Sequence, residues 1–166
     1  FALIDNNIID IERLSAPNAT SLEKQIYNKF IDARNEIFSR LNTLLAPDNE
    51  TTNNKAGDME EYLDYIYDIL VDNNVILIDK IDKDDVTLRS YQNDRISLSK
   101  FLQYAIANNY VDLNKLDVDT YYSSEELYQK LLNYTLELLE ADSTFNKKIY
   151  RYLVISYKLS GTEICL

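Results

Sequence analysis

Carboxylates and phenols are the side chains best placed to do chemistry in this sequence, which carries 28 acidic residues and 14 tyrosines but no histidine and one cysteine. Without histidine there is no imidazole general base, no Ser-His-Asp triad and no histidine metal ligand. One cysteine, Cys165, cannot build a zinc–thiolate cluster, a papain-like pair or an intrachain disulfide. Paired acids can still run glycoside hydrolysis or hold a divalent cation, and two strings invite that reading: Asp79, Asp82, Asp84 and Asp85, then Asp112, Asp117 and Asp119. The first lacks the glycine and the closing glutamate of a calcium-binding loop, and the second is also off that pattern. Solvated acids are therefore the expectation, with no metal, no cofactor and no enzymatic activity. Gly57 and Gly161, the two glycines, stand too far apart to form a phosphate-cradling loop or a dinucleotide fingerprint.

The tyrosines point to binding instead. A tyrosine packs an apolar ring while its hydroxyl seeks water or a partner, which suits both core margins and protein interfaces. Those that fall on inward helical stripes belong to the core margin. Tyr65, Tyr121 and Tyr150 fall off those stripes and are interface candidates, together with Tyr91. Ile4 and Ile8, in an apolar N-terminal arm over residues 1–19, are expected to pack on the parent domain or on a neighbouring subunit.

The elements that must position these residues are mostly helices. Two glycines and two prolines in 166 residues leave few special-angle turns, which disfavours an all-β fold. Thr20 with Glu23, Asp58 with Glu61, and Ser123 with Glu126 form capping boxes, in which each side chain can satisfy the other residue's free backbone N–H. The first opens a helix over about 21–45, with Leu22, Ile26, Phe30, Ala33, Ile37, Leu41 and Leu44 on one stripe. The second opens a helix closing near Asn73 and Asn74, and the third a helix with Leu127, Leu131, Leu132, Thr135, Leu138 and Leu139 on one side. Asp94 or Ser97 caps a further helix ending near Asn108, and Ser143 caps a last one, although strand-favouring residues over 149–157 make strand its rival.

Between the second and third of these helices, residues 75–91 are rich in branched side chains around the turn-like 82–85, and a β-hairpin is the preferred reading over a short helix. Residues 47–57 form a polar loop with almost nothing to bury. No period of 20–50 residues stands out, which argues against stacked repeats. The expected fold is mainly α: a bundle of about five helices in one domain over residues 20–166, with a small hairpin inserted.

The formal charge of −11 disfavours binding to nucleic-acid phosphate or to an anionic membrane. No run approaches the length of a membrane span, and the lone cysteine fits an intracellular or virion setting better than an oxidising one. With a helical core over 21–139, an inserted hairpin and extended ends, the chain resembles the head–tail connector (adaptor) subunits of tailed bacteriophages. The resemblance implies a structural protein that joins a ring under the portal and grips its neighbours through loops and tails; it rests on no diagnostic motif and assigns no residue a role. Two other functions fit the same composition: an acidic inhibitor whose carboxylates imitate nucleic-acid phosphate on a basic site, and a viral helical bundle that binds a host helix along the stripe from Leu22 to Leu44.

Overall fold

The computed structural model describes residues 21–47, 59–118 and 122–159. The N-terminal arm with Ile4 and Ile8, most of the 47–57 loop, Tyr121, Gly161 and Cys165 lie outside the described residues, as do Thr20 and Asp58 of two expected capping boxes.

The described chain is mainly helical, with six α-helices and no strand: α1 (Ser21–Leu44), α2 (Glu60–Asp72), α3 (Val86–Asn93), α4 (Leu98–Ala107), α5 (Ser124–Ala141) and α6 (Ser143–Leu159). It separates into two compact units. A terminal unit comprises Phe1–Phe38 and Glu140–Leu166, and a central unit comprises Ser39–Leu139.

The core of the terminal unit is aromatic. Phe30 of α1 stacks on Tyr150 of α6 with ring centroids 4.4 Å apart and planes 7° from parallel, and Phe38 lies 6.0 Å from Phe145. Such offset ring pairs add about 0.5–1.5 kcal/mol beyond the area they bury. The Arg34 guanidinium lies over the Phe30 ring at 5.0 Å and reaches Glu140 at 3.4 Å. The α6 segment is helix, not strand, because Asp142 accepts a hydrogen bond from the Phe145 N–H at 2.8 Å and so caps its first turn. Asp142 takes the capping role expected of Ser143, which is the first helical residue instead.

The core of the central unit is largely aliphatic: Leu63, Ile66 and Leu70 of α2, Leu88 of α3, Leu98, Leu102 and Ala105 of α4, and Leu131 and Leu139 of α5 are all buried. The expected hairpin over 75–91 does not form. Val86–Asn93 is a helix, nucleated when the Asp85 carboxylate accepts from the Leu88 N–H at 3.0 Å. This side-chain cap outweighs the β-leaning of Val86 and Thr87, and only Leu88 of the segment is then fully buried. The third capping box is seen from its serine side, where Ser123 Oγ accepts from the Glu126 N–H at 3.2 Å.

What pairs instead of a hairpin is a related pair of helix exits. α2 and α4 each end in Asn-Asn, and the second asparagine of each takes a left-handed conformation, Asn74 with φ 56° and Asn109 with φ 62°. Asparagine tolerates this region because its short side chain bonds locally. In both exits the next residue's N–H reaches back to the helix, Val75 to the Leu70 carbonyl at 2.9 Å and Tyr110 to the Ala105 carbonyl at 2.8 Å, which completes a Schellman cap. Both chains then enter a 3₁₀ turn, Ile78–Lys80 and Leu113–Leu116.

The two exits meet in a single antiparallel bridge, Ile76 with Val111, through Leu77 N–H to Tyr110 O at 2.8 Å and Asp112 N–H to Val75 O at 2.9 Å. Every corresponding position is 35 residues apart, so a helix–cap–bridge–turn unit occurs twice. Two occurrences of a local motif do not make the stacked repeat that the sequence argued against. The relation escapes a reading of side chains because it lives in backbone conformation, while the sequences 73–82 and 108–117 share only Asn-Asn, one Lys and the final Asp.

Candidate functional site

The acidic strings resolve into local structure. Asp82 Oδ1 accepts from the Asp84 N–H at 2.9 Å, Asp85 caps α3, and Asp112 Oδ1 accepts from the Asn114 N–H at 3.1 Å. These three carboxylates are spent on their own turns, as Asx residues are when they open a helix; Asp119 lies outside the described residues. Among the described residues no three Asp, Glu, Cys or His side chains converge as a metal-binding group.

Around α3 these turns hold tyrosines in place. The Tyr104 hydroxyl sits 3.5 Å from Asp85 Oδ1, the Asp82 N–H points to the Tyr110 hydroxyl at 3.4 Å, and Tyr91 meets the Tyr104 ring edge-on at 6.3 Å. At the other end of α3, Gln92 Nε2 donates to the Tyr67 hydroxyl at 2.8 Å. Arg95 lies over the Tyr67 ring at 3.7 Å and donates to the Gln92 carbonyl. Its Nε is 2.8 Å from Asp64 Oδ1 but off the N–H axis, so the pair is an ion contact without a directed hydrogen bond.

Tyr67, Tyr91, Tyr104 and Tyr110 are all half-buried, with their rings anchored and one side of each residue accessible. Desolvation first, then the charge and hydrogen bond of Asp85, push the Tyr104 phenol above its ordinary range, so it is a neutral donor at physiological pH.

The outer face of α3 is small and flat. Val86, Ser90 and Asn93, at helical spacing, and the adjacent Thr87 are exposed; Val86 keeps 79% of its surface open although it is apolar. The charges near it are mixed: Asp82, Lys83 and Asp84 are exposed before the helix, Arg89 lies within it, Asp94 and Arg95 follow it, and α2 exposes Asp64, Asp68 and Asp72. The last three recur every fourth residue, a like-charge spacing that costs an isolated helix about 0.2–0.5 kcal/mol per pair. Asp72 also stands in the final turn, where the helix dipole disfavours an anion.

Of the interface candidates, Tyr91 is part of this surface. Tyr65 is half-buried on α2 and has interactions of its own. Tyr150 is buried: it is 2% exposed and stacked on Phe30, because α6 turns it toward α1. Ile4, Ile8 and Tyr121 lie outside the described residues. Sequence reasoning missed Val86, Tyr67 and Tyr104. The signal available for them was Asp85 as a cap, which makes Val86 the first residue of a helix whose inward position is Leu88.

The remaining buried polar groups are structural. The Tyr128 hydroxyl donates to the Leu45 carbonyl and lies 3.0 Å from Ser99 Oγ, which contacts the Ala46 carbonyl at 3.3 Å and accepts from Gln103 Nε2 at 3.1 Å. This cluster closes the C-terminal end of α1, where the carbonyls have no intrahelical partner. Burial pushes the Tyr128 phenol up to about 12, which fixes it as a donor. Comparison of the chain with protein-family models, with curated proteins and with solved structures finds no match.

Proposed function

We propose that the protein is a structural or assembly protein that works through protein–protein contacts, with the surface around α3 as its contact face. One observation carries this reading: an exposed apolar residue on a flat helix face, framed by half-buried tyrosines whose rings are already held in place. Anchored tyrosines lose little side-chain entropy on binding, and tyrosine and arginine are enriched where binding energy concentrates. Asp82, Asp85 and Asp94 near this face serve turns and caps. A ring subunit of a phage head–tail connector is one assembly of this type. The helical core favours it, while the hairpin that contributed to that resemblance is a helix here.

The test is molar mass in solution by light scattering at low and high salt, on the wild type and on Val86→Ser/Tyr91→Ala. The expected result is a multiple of the monomer mass that persists in high salt and falls in the double variant. A monomer at every protein and salt concentration would set this reading aside. The charge distribution favours a second reading in that event, an acidic inhibitor of a basic nucleic-acid-binding protein, because nineteen acids against nine bases fall within Ser39–Leu139. Its mark is binding to such a protein that weakens steeply with salt.

A further inference from the structure

Three polar atoms of the terminal unit are buried without a hydrogen-bond partner among the described residues: Arg34 Nε, Asn146 Oδ1 and the Tyr150 hydroxyl. Their positions are related. Phe30 meets Tyr150 and Phe38 meets Phe145, so α1 and α6 run antiparallel. Arg34 lies one helical turn from each of the two phenylalanines of α1, and Asn146 lies one turn before Tyr150 on α6. The two polar side chains therefore share a layer between two aromatic ones. The Arg34 guanidinium is 5.0 Å from the Phe30 ring and 5.9 Å from the Phe38 ring, and its side chain is only 13% exposed. Glu140 ties the layer together: its carboxylate accepts from Arg34 Nη2 at 3.4 Å, and its backbone carbonyl accepts from Asn146 Nδ2 at 3.0 Å. That second bond uses the amide nitrogen of Asn146 and leaves its oxygen for something else.

We propose that one buried water molecule bridges the Arg34 Nε–H to Asn146 Oδ1, with the Tyr150 hydroxyl as its third neighbour. The site belongs to the terminal unit and stands apart from the contact face around α3. The chemistry of the three atoms selects the ligand. Arg34 Nε can only donate, Asn146 Oδ1 can only accept, and a phenol can do either. Water answers all three, and buried waters ordinarily make about three such bonds to groups the protein leaves unpaired. An anion suits the guanidinium but meets the lone pairs of Asn146 and the nearby Glu140 carboxylate; a cation meets Arg34. Burial first, then Tyr27, raise the Tyr150 phenol while Arg34 opposes the rise, so the hydroxyl is neutral and within electrostatic reach of the guanidinium.

The bridge accounts for a cost the layer otherwise carries, the full desolvation of a donor and an acceptor on facing helices. Because it needs Arg34 and Asn146 in one layer, it also marks the register in which α6 packs on α1.

The deciding experiment is water-to-protein cross-relaxation by NMR on the wild type, Asn146→Leu and Tyr150→Phe, with circular dichroism to confirm folding. The readout is a cross-peak between water and the Arg34 Nε–H in the rotating frame, where cross-relaxation and proton exchange have opposite signs. The peak is expected in the wild type and in Tyr150→Phe, which keeps both ends of the bridge. It is expected to vanish in Asn146→Leu, which removes one end and fills the space. A wild-type Arg34 Nε–H with no cross-relaxation to water overturns the proposal whether or not Asn146→Leu folds. A cross-peak that survives in folded Asn146→Leu overturns it too, because that water needs no bridge.

Discussion

The terminal and central units solve the same problem, how to bury a tyrosine, in opposite ways. In the central unit the Tyr128 hydroxyl is tied to the Leu45 carbonyl and to Ser99, so its polar end is satisfied. Among the described residues of the terminal unit the Tyr150 hydroxyl is buried without a hydrogen-bond partner, as are Arg34 Nε and Asn146 Oδ1; the central unit has one such atom, Arg95 Nε. Tyr150 is held by its ring against Phe30 instead. One unit closes its interior with directed bonds and the other with stacked faces. Charge divides along the same line: nine acids against eight bases in the terminal unit, nineteen against nine in the central one. The central unit is thus the one that carries the surplus charge and the candidate contact face.

High pH should strain this contrast most. Burial raises Tyr128 to about 12 and drives Tyr150 further in the same direction, with Tyr27 adding to that rise and Arg34 opposing it. A phenol with a raised folded pKa contributes fully below its unfolded value near 10; above that the unfolded chain loses its proton first, so stability falls as pH rises. Denaturant midpoints should therefore be insensitive to these phenols below pH 10. Between pH 10 and 12 stability should fall by roughly 2–3 kcal/mol on account of Tyr128 alone. Phenolate absorbance that appears with unfolding, and not before it, would verify the coupling.

Removing the hydroxyls one at a time should separate the units. Tyr128→Phe strands the Leu45 carbonyl and is expected to cost about 1–3 kcal/mol. Tyr150→Phe deletes a group with no partner and should be neutral or slightly stabilising, within about 0.5 kcal/mol. Chemical denaturation of the two variants side by side checks both, and equal losses would erase the distinction drawn here. Asp85→Ala should cost about 1 kcal/mol for a lost helix cap. Hydrogen exchange should localise the loss to the first turn of α3.

Much of this was legible in the sequence where one helix stripe decided the matter. α1 and α2 end where Leu44 and Asn73 say they should, α4 stops at Asn108, and Ser123 opens α5. The segment 75–91 was misjudged because two signals competed: branched residues favour strand when averaged over a window, but Asp85 needs only one N–H, that of Leu88, to start a helix. Tyr150 was misjudged for a similar reason. Counting stripes assigns a residue to a face without knowing which faces meet a partner, and α6 meets α1 over a wider arc than a single stripe. Of the proposed contact surface, Tyr91 was singled out from the sequence, whereas Val86 and Tyr104 required knowing that α3 exists.

The bridge between Ile76 and Val111 has a consequence for how the pairing is held. Because it joins equivalent positions of two related segments, each segment contains both sides of the pairing, and two separate molecules of one segment would satisfy the same hydrogen bonds about a local dyad. Joining the copies in one polypeptide converts that bimolecular encounter into an intramolecular one at a fixed effective concentration. Holding both segments in one polypeptide therefore exchanges dependence on concentration for dependence on connectivity. The symmetry of the pairing shows in two left-handed asparagines more plainly than in any side chain of the core.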